Sequence, residues 1–373
     1  MKLKLLIAAV VVIVGLYFLK THLDKKREYI PDVPASATPG SATAHPEAVK
    51  ERQHFIVGFL PVTCHLTCPV TSWITQHADT GSVFESQKFT DFPSMKEALI
   101  ARKIDATFMN MPLAMKLVAD GVPVKIVYLG HRDGSAIMVR IDSDIKDFEG
   151  LRGKVVAIPG RFSNQNILML KKMKELGMKE GDITLKELPP PEHPSALASK
   201  AIDAYIIGEP HAAVAEVNHF GRVLYQCGDL WPNFISCGLV VRQEVIDNNR
   251  AMVEELVKGI ATSGKWLDSD VDKGAQHRHD AALVASQKMF YNQKTEVLDF
   301  VLTKDTKRVR YTDLKPPQDK FDEMMNLFAD FNLIPKRMKF EEYADISFAP
   351  DLETLPLPFD RLPAISGLKP NAP

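Results

Sequence analysis

The stretch from Leu151 to Met178, LRGKVVAIPGRFSNQNILMLKKMKELGM, constrains the fold more than any other part of the chain. Val155 to Ile158 is a continuous apolar run of the kind that fills a parallel strand covered on both faces. Pro159-Gly160 breaks it, and Ser163 or Asn164 supplies an N-cap for the helix that follows. Ile167, Leu168, Leu170, Met173 and Leu176 recur at helical spacing, and Gly177 stops the helix. Such a strand–turn–helix unit belongs to an α/β protein. It aims free backbone N–H groups and a positive helix end beyond the strand's carboxyl edge, a place suited to a small anion or polar ligand.

At 373 residues the chain is long enough for two lobes. Lys and Arg number 46 against 47 Asp and Glu, so the charge balance excludes nucleic acid as the expected partner. Leu5 to Leu19 (LLIAAVVVIVGLYFL) is uncharged and apolar, flanked by lysines on both sides. It is slightly short for a spanning helix, yet small-x-small cleavage sites occur only well beyond it, at Ala35-Ser36-Ala37 and Ala42-Thr43-Ala44. An uncleaved membrane anchor is expected, with a cleaved signal peptide as the alternative. Pro31 to Glu47 (PDVPASATPGSATAHPE) has no periodic apolar face and is expected to be an extended stalk.

Further along, strands are expected at Phe55–Leu60, Ile104–Met109, Val124–Leu129, Ser135–Arg140, Asp182–Leu188, Ala201–Ile207 and Leu239–Val241. Helices are expected at Phe92–Lys103, from Pro112, at Pro194–Lys200, from Glu209-Pro210-His211, at Arg250–Leu267 and at Gln318–Phe331. An internal echo links IDATFMNMP at Ile104–Pro112 with IDAYIIGEP at Ile202–Pro210. Each is Ile-Asp-Ala, a short strand and a proline that opens a helix, where its missing N–H costs nothing. Two such turns would set helix N-termini on both walls of one cleft.

Five pieces of the chain, in order, resemble the substrate-binding proteins of ABC importers for nitrate, bicarbonate, aliphatic sulfonates and taurine, a group that includes binders of thiamine precursors. They are GFLPVT (Gly58–Thr63), IDATFMNMPLAM (Ile104–Met115), LRGKVVAIPG (Leu151–Gly160), AIDAYIIGEPHAAVAEV (Ala201–Val217) and LWPNFISCGLVVR (Leu230–Arg242). The resemblance covers roughly Phe55 to Asp268 and implies a two-lobed periplasmic-binding-protein fold of type II, each lobe a mostly parallel sheet flanked by helices. It implies capture of a small oxyanion or sulfonate by lobe closure, a permease and an ATPase as partners, no enzymatic step and no cofactor. The body is then expected outside the cytoplasmic membrane, held by the N-terminal segment or released from it. The expected layout is 1–20 anchor or signal segment, 21–53 stalk, 54–145 with 239–335 lobe I, 146–238 lobe II and 336–373 a Pro-rich tail. Two alternatives are a protein of thiamine-pyrimidine binding or synthesis with the same fold, and a sensory or adaptor protein that retains the binding fold.

The expected ligand contacts come from four turns: Thr63, Cys64 and His65; Asn110 and Met111; Arg161, Ser163, Asn164 and Gln165; Glu209 and His211. Cys64 departs from the acidic or small residue that nitrate-type relatives carry there. An even cysteine count in an oxidising compartment points to disulfides Cys64–Cys68 and Cys227–Cys237, with free buried thiols or a metal site as the other possibilities. A closed zinc site would need further ligands, so no metal is expected. Glu209 and His211 lack a nucleophile beside them and are expected to bind or brace rather than catalyse. Gln276 to Asp280 (QHRHD) is expected to be a solvated stretch of helix.

Overall fold

The structure, a computed structural model, describes residues 52–371. The apolar run at 5–19 and the stalk at 31–47 lie outside the described residues. Among those described, no helix is long and apolar enough to cross a membrane.

Two five-stranded sheets form the framework. The first contains β1 (His54–Phe59), β2 (Val83–Lys88), β3 (Ala106–Asn110), β4 (Val124–Leu129) and β11 (Cys237–Arg242). Its order is β2-β1-β3-β11-β4, with β1 parallel to β2 and β3 and with β11 antiparallel to both neighbours. The second contains β6 (Ser135–Arg140), β7 (Val155–Ile158), β8 (Thr184–Glu187), β9 (Ala204–Gly208) and β10 (Gly221–Gln226), in the order β10-β6-β9-β7-β8. Here β6 is the antiparallel strand. The two orders are the same pattern, with β7, β8, β9 and β10 in the places of β1, β2, β3 and β4. Each sheet is completed by one strand from the other half of the chain: β6 crosses into the second sheet, and β11 crosses back.

That exchange corrects the expected boundary of lobe I. Ser135–Arg140 hydrogen-bonds in the second sheet, so the first crossing falls at the short β5 (Arg132–Asp133), not near residue 145. The run SAIMVR is buried over all but its last residue and suits any sheet interior, so its local pattern carries no label of lobe. The two crossings meet where Arg132 bridges Ile235 and where Asp133 N–H donates to Phe234 O at 2.8 Å.

The Ile-Asp-Ala echo has a physical basis. Asp105 accepts from the N–H of Ile56 at 2.9 Å, and its own N–H donates to Ile56 O at 2.9 Å. Asp203 makes the same pair of bonds with Val155, at 2.9 Å each. In both sheets a carboxylate extends the ladder by one rung between the central parallel strands, while Ile104 and Ile202 are buried beside it.

The helices begin where the sequence signals place them. Ser163 caps Asn164–Glu175 by accepting from Asn166 N–H, and Pro112 sits in the first turn of Met111–Ala119. Met252, Val253, Leu256, Val257 and Ile260 bury one face of Arg250–Asp268.

The segment Gln276–Asp280 departs from expectation. Arg278 is 1% exposed and pairs with Asp268 at 2.6 Å, while its guanidinium also donates to Leu302, Thr306 and Val309 carbonyls. Asp280 is fully buried against Arg361, and the His277 ring stacks on Trp266. This helix anchors the C-terminal segment instead of facing water. The tail beyond 336 is packed as well: Trp73 and Trp266 donate their indole N–H groups to Pro363 O and Phe359 O, both at 2.8 Å.

Candidate functional site

The carboxyl ends of β1, β3, β7 and β9 face one another, and the turns after them meet. Thr63 N–H donates to Glu209 O at 2.6 Å, and Met111 N–H donates to the Asn164 side-chain oxygen at 3.2 Å. Both bonds join the lobes, so the molecule is in a closed form. Between them lies a buried polar cluster drawn from both lobes. Gln165 Nε2 donates to Ser135 Oγ at 3.1 Å and reaches Ser236 Oγ at 3.5 Å. Ser236 Oγ in turn lies 3.8 Å from Cys64 Sγ and 3.7 Å from Cys237 Sγ. The Cys237 thiol donates to Asn110 Oδ1 at 3.6 Å, and Thr63 Oγ1 is 3.1 Å from His131 Nε2.

Three buried polar atoms of this cluster have no hydrogen-bond partner among the described residues: His65 Nε2, His131 Nδ1 and Gln165 Oε1. An orphaned buried polar atom costs free energy, so three together mark a place built for something polar. His65 Nδ1 accepts from Leu60 N–H at 2.7 Å, which places the ring proton on Nε2 and makes that atom a donor. The glycine at 130 is obligatory here, because a Cβ on it would lie 1.9 Å from Cys64 O.

The structure gathers most of the expected residues and redistributes others. Thr63, Cys64, His65, Asn110, Met111, Asn164 and Gln165 are in or beside the cluster, and Ser163 holds the helix that carries two of them. Arg161 is not with them: it is exposed along a groove of roughly 850 Å³ with Asn166, Glu187 and Asp330. The Pro159-Gly160 break turns its side chain outward while the cap that follows turns inward. Glu209 is fully buried and bound by Arg308 at 2.8 Å and by Ala213 N–H at 2.8 Å. Burial pushes its carboxyl above the usual range, and Arg308 and the Ala213 N–H pull back against that. His211 faces a pocket of roughly 650 Å³ beside Pro61, Pro194 and Tyr291. Burial and the nearby His193 press its pKa down to about 3, so it is neutral.

The cysteine pairing also needs correction. All four cysteines are buried free thiols. Cys68 points to Val57 O at 3.9 Å, because it sits one helical turn past Cys64 on the face that packs under β1. Cys227 is raised well above the usual thiol range by burial first and then by Asp133, Asp229 and Glu209. Cys64 instead lies near Cys237, their sulfurs and a His65 ring nitrogen all within 4.8 Å of one another. Burial pushes the Cys64 thiol up, but the neighbouring Cys237, His65 and His131 outweigh it and hold Cys64 well below the usual thiol range. Cys237 moves the opposite way, raised by burial and by Cys64.

Sequence reasoning missed Ser135, Ser236, His131 and the whole C-terminal contribution. Tyr291 and Tyr311 donate their hydroxyls to Val62 O at 2.6 Å and Thr63 O at 3.1 Å. Met324, on the helix Gln318–Asp330, accepts from Asn164 Nδ2 at 3.6 Å. The adjacency of Ser236 to Cys237 was the only local signal for any of these.

Residues 48–285 match the model of the NMT1-like family. A nitrate import ATP-binding protein, NrtC, of Synechocystis is 26% identical over 199 residues, 48% of this chain and 30% of that one. The chain spans about half or less of the length of the relatives it matches by sequence. Among solved structures, a ligand-binding component of an ABC-type import system from Staphylococcus aureus, with zinc bound, has a TM-score of 0.69 at 24% identity. That match covers 82% of this chain and all of the other. The alkanesulfonate-binding protein SsuA from Xanthomonas axonopodis, bound to MOPS, has a TM-score of 0.66 at 17% identity, covering 80% and 100%. These likenesses establish the fold as that of the two-lobed periplasmic binding proteins.

Proposed function

The chain belongs to the NMT1-like family, and on that premise we propose that it is the solute-binding component of an ABC-type importer, closing two lobes on a small oxyanion or sulfonate. The observation that carries this is the meeting of polar groups from both lobes at the carboxyl ends of four strands. Two helix N-termini, at Met111 and Asn164, reach the same place, and the positive ends of their dipoles favour negative charge. The His65 Nε2 proton adds a donor that no described protein atom uses. The buried guanidinium of Arg308 is already engaged, paired with Glu209 and Glu216. A buried site that already holds the Cys64 sulfur, kept well below the usual thiol range, disfavours a highly charged anion more than a small monoanion.

Binding without chemistry is the simplest use of these groups, since the Glu209 carboxylate is held in an ion pair. Lobe closure around crossing strands would deliver the loaded form to a permease and its ATPase. The body is proposed to face the periplasm, held through the apolar run at 5–19. Fractionation tests the second part: a soluble mature form beginning after Ala37 or Ala44 would replace the anchor with a cleaved signal peptide.

Calorimetric titration of nitrate, ethanesulfonate and taurine into the metal-free protein tests the solute. One of them is expected to bind, and Gln165→Ala should weaken it roughly 10- to 150-fold, the worth of one charged hydrogen bond. Arg161→Ala should bind as the parent does. Equal affinity of parent and Gln165→Ala, with a loss in Arg161→Ala, would move the solute out of the interlobe cluster.

A further inference from the structure

Cys64 and Cys237 have a feature that solute capture does not use. Their sulfurs and a ring nitrogen of His65 all lie within 4.8 Å of one another. The three residues are 2%, 1% and 0% exposed. They come from separate parts of the chain, the turn after β1 and the first residue of β11, with β3 between those strands. We propose that Cys64 and Cys237 together bind one soft monovalent cation of the copper(I) class between their sulfurs.

The donor set selects that class. Thiolates favour soft ions, copper(I) among them. Two metal–sulfur bonds of about 2.3 Å, the length of zinc–thiolate bonds, reach at most about 4.6 Å from sulfur to sulfur. The two sulfurs lie within 4.8 Å of one another, close to that span, so a small side-chain adjustment suffices to hold a nearly linear two-coordinate ion. A structural zinc ion requires four ligands, and the cluster does not supply them. Cys68 and Cys227 are directed elsewhere. His65 is not a third ligand in the arrangement seen, because Leu60 N–H occupies Nδ1 and leaves a proton on Nε2. That proton is instead a hydrogen-bond donor with no partner among the described residues, available to a sulfur that carries negative charge. A bis-thiolate copper(I) unit has a net charge of −1, which a hydrogen-bond donor stabilises. The surroundings are soft and apolar as well. Phe92 and Phe108 flank the His65 ring, and the Met111 thioether is packed against Gly238, next to Cys237.

On binding, the ion replaces whatever protons the two sulfurs carry, and no electrons move. The site lies on the lobe I wall of the cleft. An ion held there would sit beside Gln165 and Ser236, within reach of a bound solute. The proposal goes beyond solute capture and stands separately from it.

Competition with bicinchoninate under anaerobic, reducing conditions tests it on the full chain, with copper(I) as the probe. One ion per chain should be retained. Cys64→Ser and Cys237→Ser should each weaken retention by roughly 100-fold or more, a loss at least as large as that from disturbing an outer-shell partner. Cys68→Ser and Cys227→Ser should retain copper(I) as the parent does, and zinc(II) should be lost on desalting. X-ray absorption at the copper edge of the parent protein removes any dependence on variants that fold poorly: two sulfur neighbours are expected. Four-coordinate copper, failure to hold copper(I) against the competitor, equal losses in the Cys68 and Cys227 variants, or zinc(II) held tightly through the same pair would each overturn the proposal. Titration of nitrate or sulfonates into metal-free protein is unaffected by any of these results, so the two readings fail separately.

Discussion

Arg308 shows how much one side chain can hold. It is 8% exposed and bonds Glu209 and Glu216, each at 2.8 Å, with its guanidinium over the Phe300 ring. Removing one member of a buried ion pair leaves the other charge without compensation, a loss of about 3–5 kcal/mol. Arg308→Met should therefore lower the urea midpoint by that equivalent, and adding Glu209→Gln should recover part of it. Two buried histidines set the pH response. His193 is pressed to about 4 by burial, against backbone hydrogen bonds that raise it, and His211 to about 3 by burial and His193. The unfolded chain takes up these protons near pH 6.5, where the native one does not, so stability rises with pH. It should be complete above about pH 7.5 and fall as pH drops from 6.5 towards 4, with each histidine contributing a slope of about 1.4 kcal/mol per pH unit. Urea midpoints measured between pH 8 and 4.5 should show this fall, and His193→Gln with His211→Gln should flatten it. At this scale the sequence was informative where residues sit at strand ends. Thr63, Asn110, Asn164 and Gln165 could be placed because a turn after a parallel strand has one direction to face. Arg161 could not, since a single residue beside Gly160 turns in or out according to backbone angles that its type does not dictate. Nor could the Cys64–Cys237 pair, because their closeness depends on where β11 crosses.

Elements were legible wherever their hydrophobic period was strong. β4, β6 and β7 fall on the expected residues, and Asn164–Glu175 begins at its serine cap. What the periods lacked was the identity of the neighbour. β6 and β11 are buried over all but their last residue, and only the register with β9 or β3 decides the sheet they join. The Ile-Asp-Ala echo is the exception, a local signature with a long-range consequence, because each aspartate bonds the start of the adjacent parallel strand. Asp105→Ala and Asp203→Ala should each lose about 1.5–3 kcal/mol, the value of a hydrogen bond to a charged group, in thermal or urea unfolding. The asparagine variants should keep most of it, since an amide oxygen also accepts. Asp105 carries an extra ion pair with Arg242 at 3.0 Å, so its alanine variant should be the more damaging of the two. The QHRHD helix was misjudged because charged residues ordinarily face water. Here Arg278 finds three carbonyls and a carboxylate at once, which a one-dimensional pattern cannot display. His277→Ala removes a stack on Trp266 and should cost measurable stability.

For the whole molecule, the question is what keeps the lobes together. Lobe-to-lobe bonds at Thr63–Glu209 and Met111–Asn164 are few, and the C-terminal segment reinforces them from outside. β12 (Val309–Arg310) pairs with β5 at the crossing, and Tyr311 is tied to lobe I through Thr63 O and Asp268. From the same segment Arg308 reaches Glu209 and Glu216 in lobe II. Further on, the helix Gln318–Asp330 presents Met324 to Asn164, Phe328 to Phe162 at 5.9 Å, and Glu323 to the Trp231 indole at 3.3 Å. A single strap therefore grips both halves, and closure has an intramolecular share as well as any share from solute. Two-lobed organisation and a cleft could be inferred from the sequence, since both follow from repeated strand–turn–helix units. The strap could not, because its contacts are individual side chains on helices whose packing face has many possible partners. A strap on both lobes predicts a measurable shift in the open–closed balance. Phe162→Ala and Met324→Ala remove strap contacts to lobe II and leave those to lobe I intact. Each contact of about 1.4 kcal/mol changes the closed-to-open ratio about tenfold. The solute-free variants should show a larger radius of gyration by small-angle scattering than the solute-free parent, and saturating solute should restore the parent value. Identical scattering from parent and variants would mean that the direct bonds between the lobes suffice, and that the strap only follows the motion.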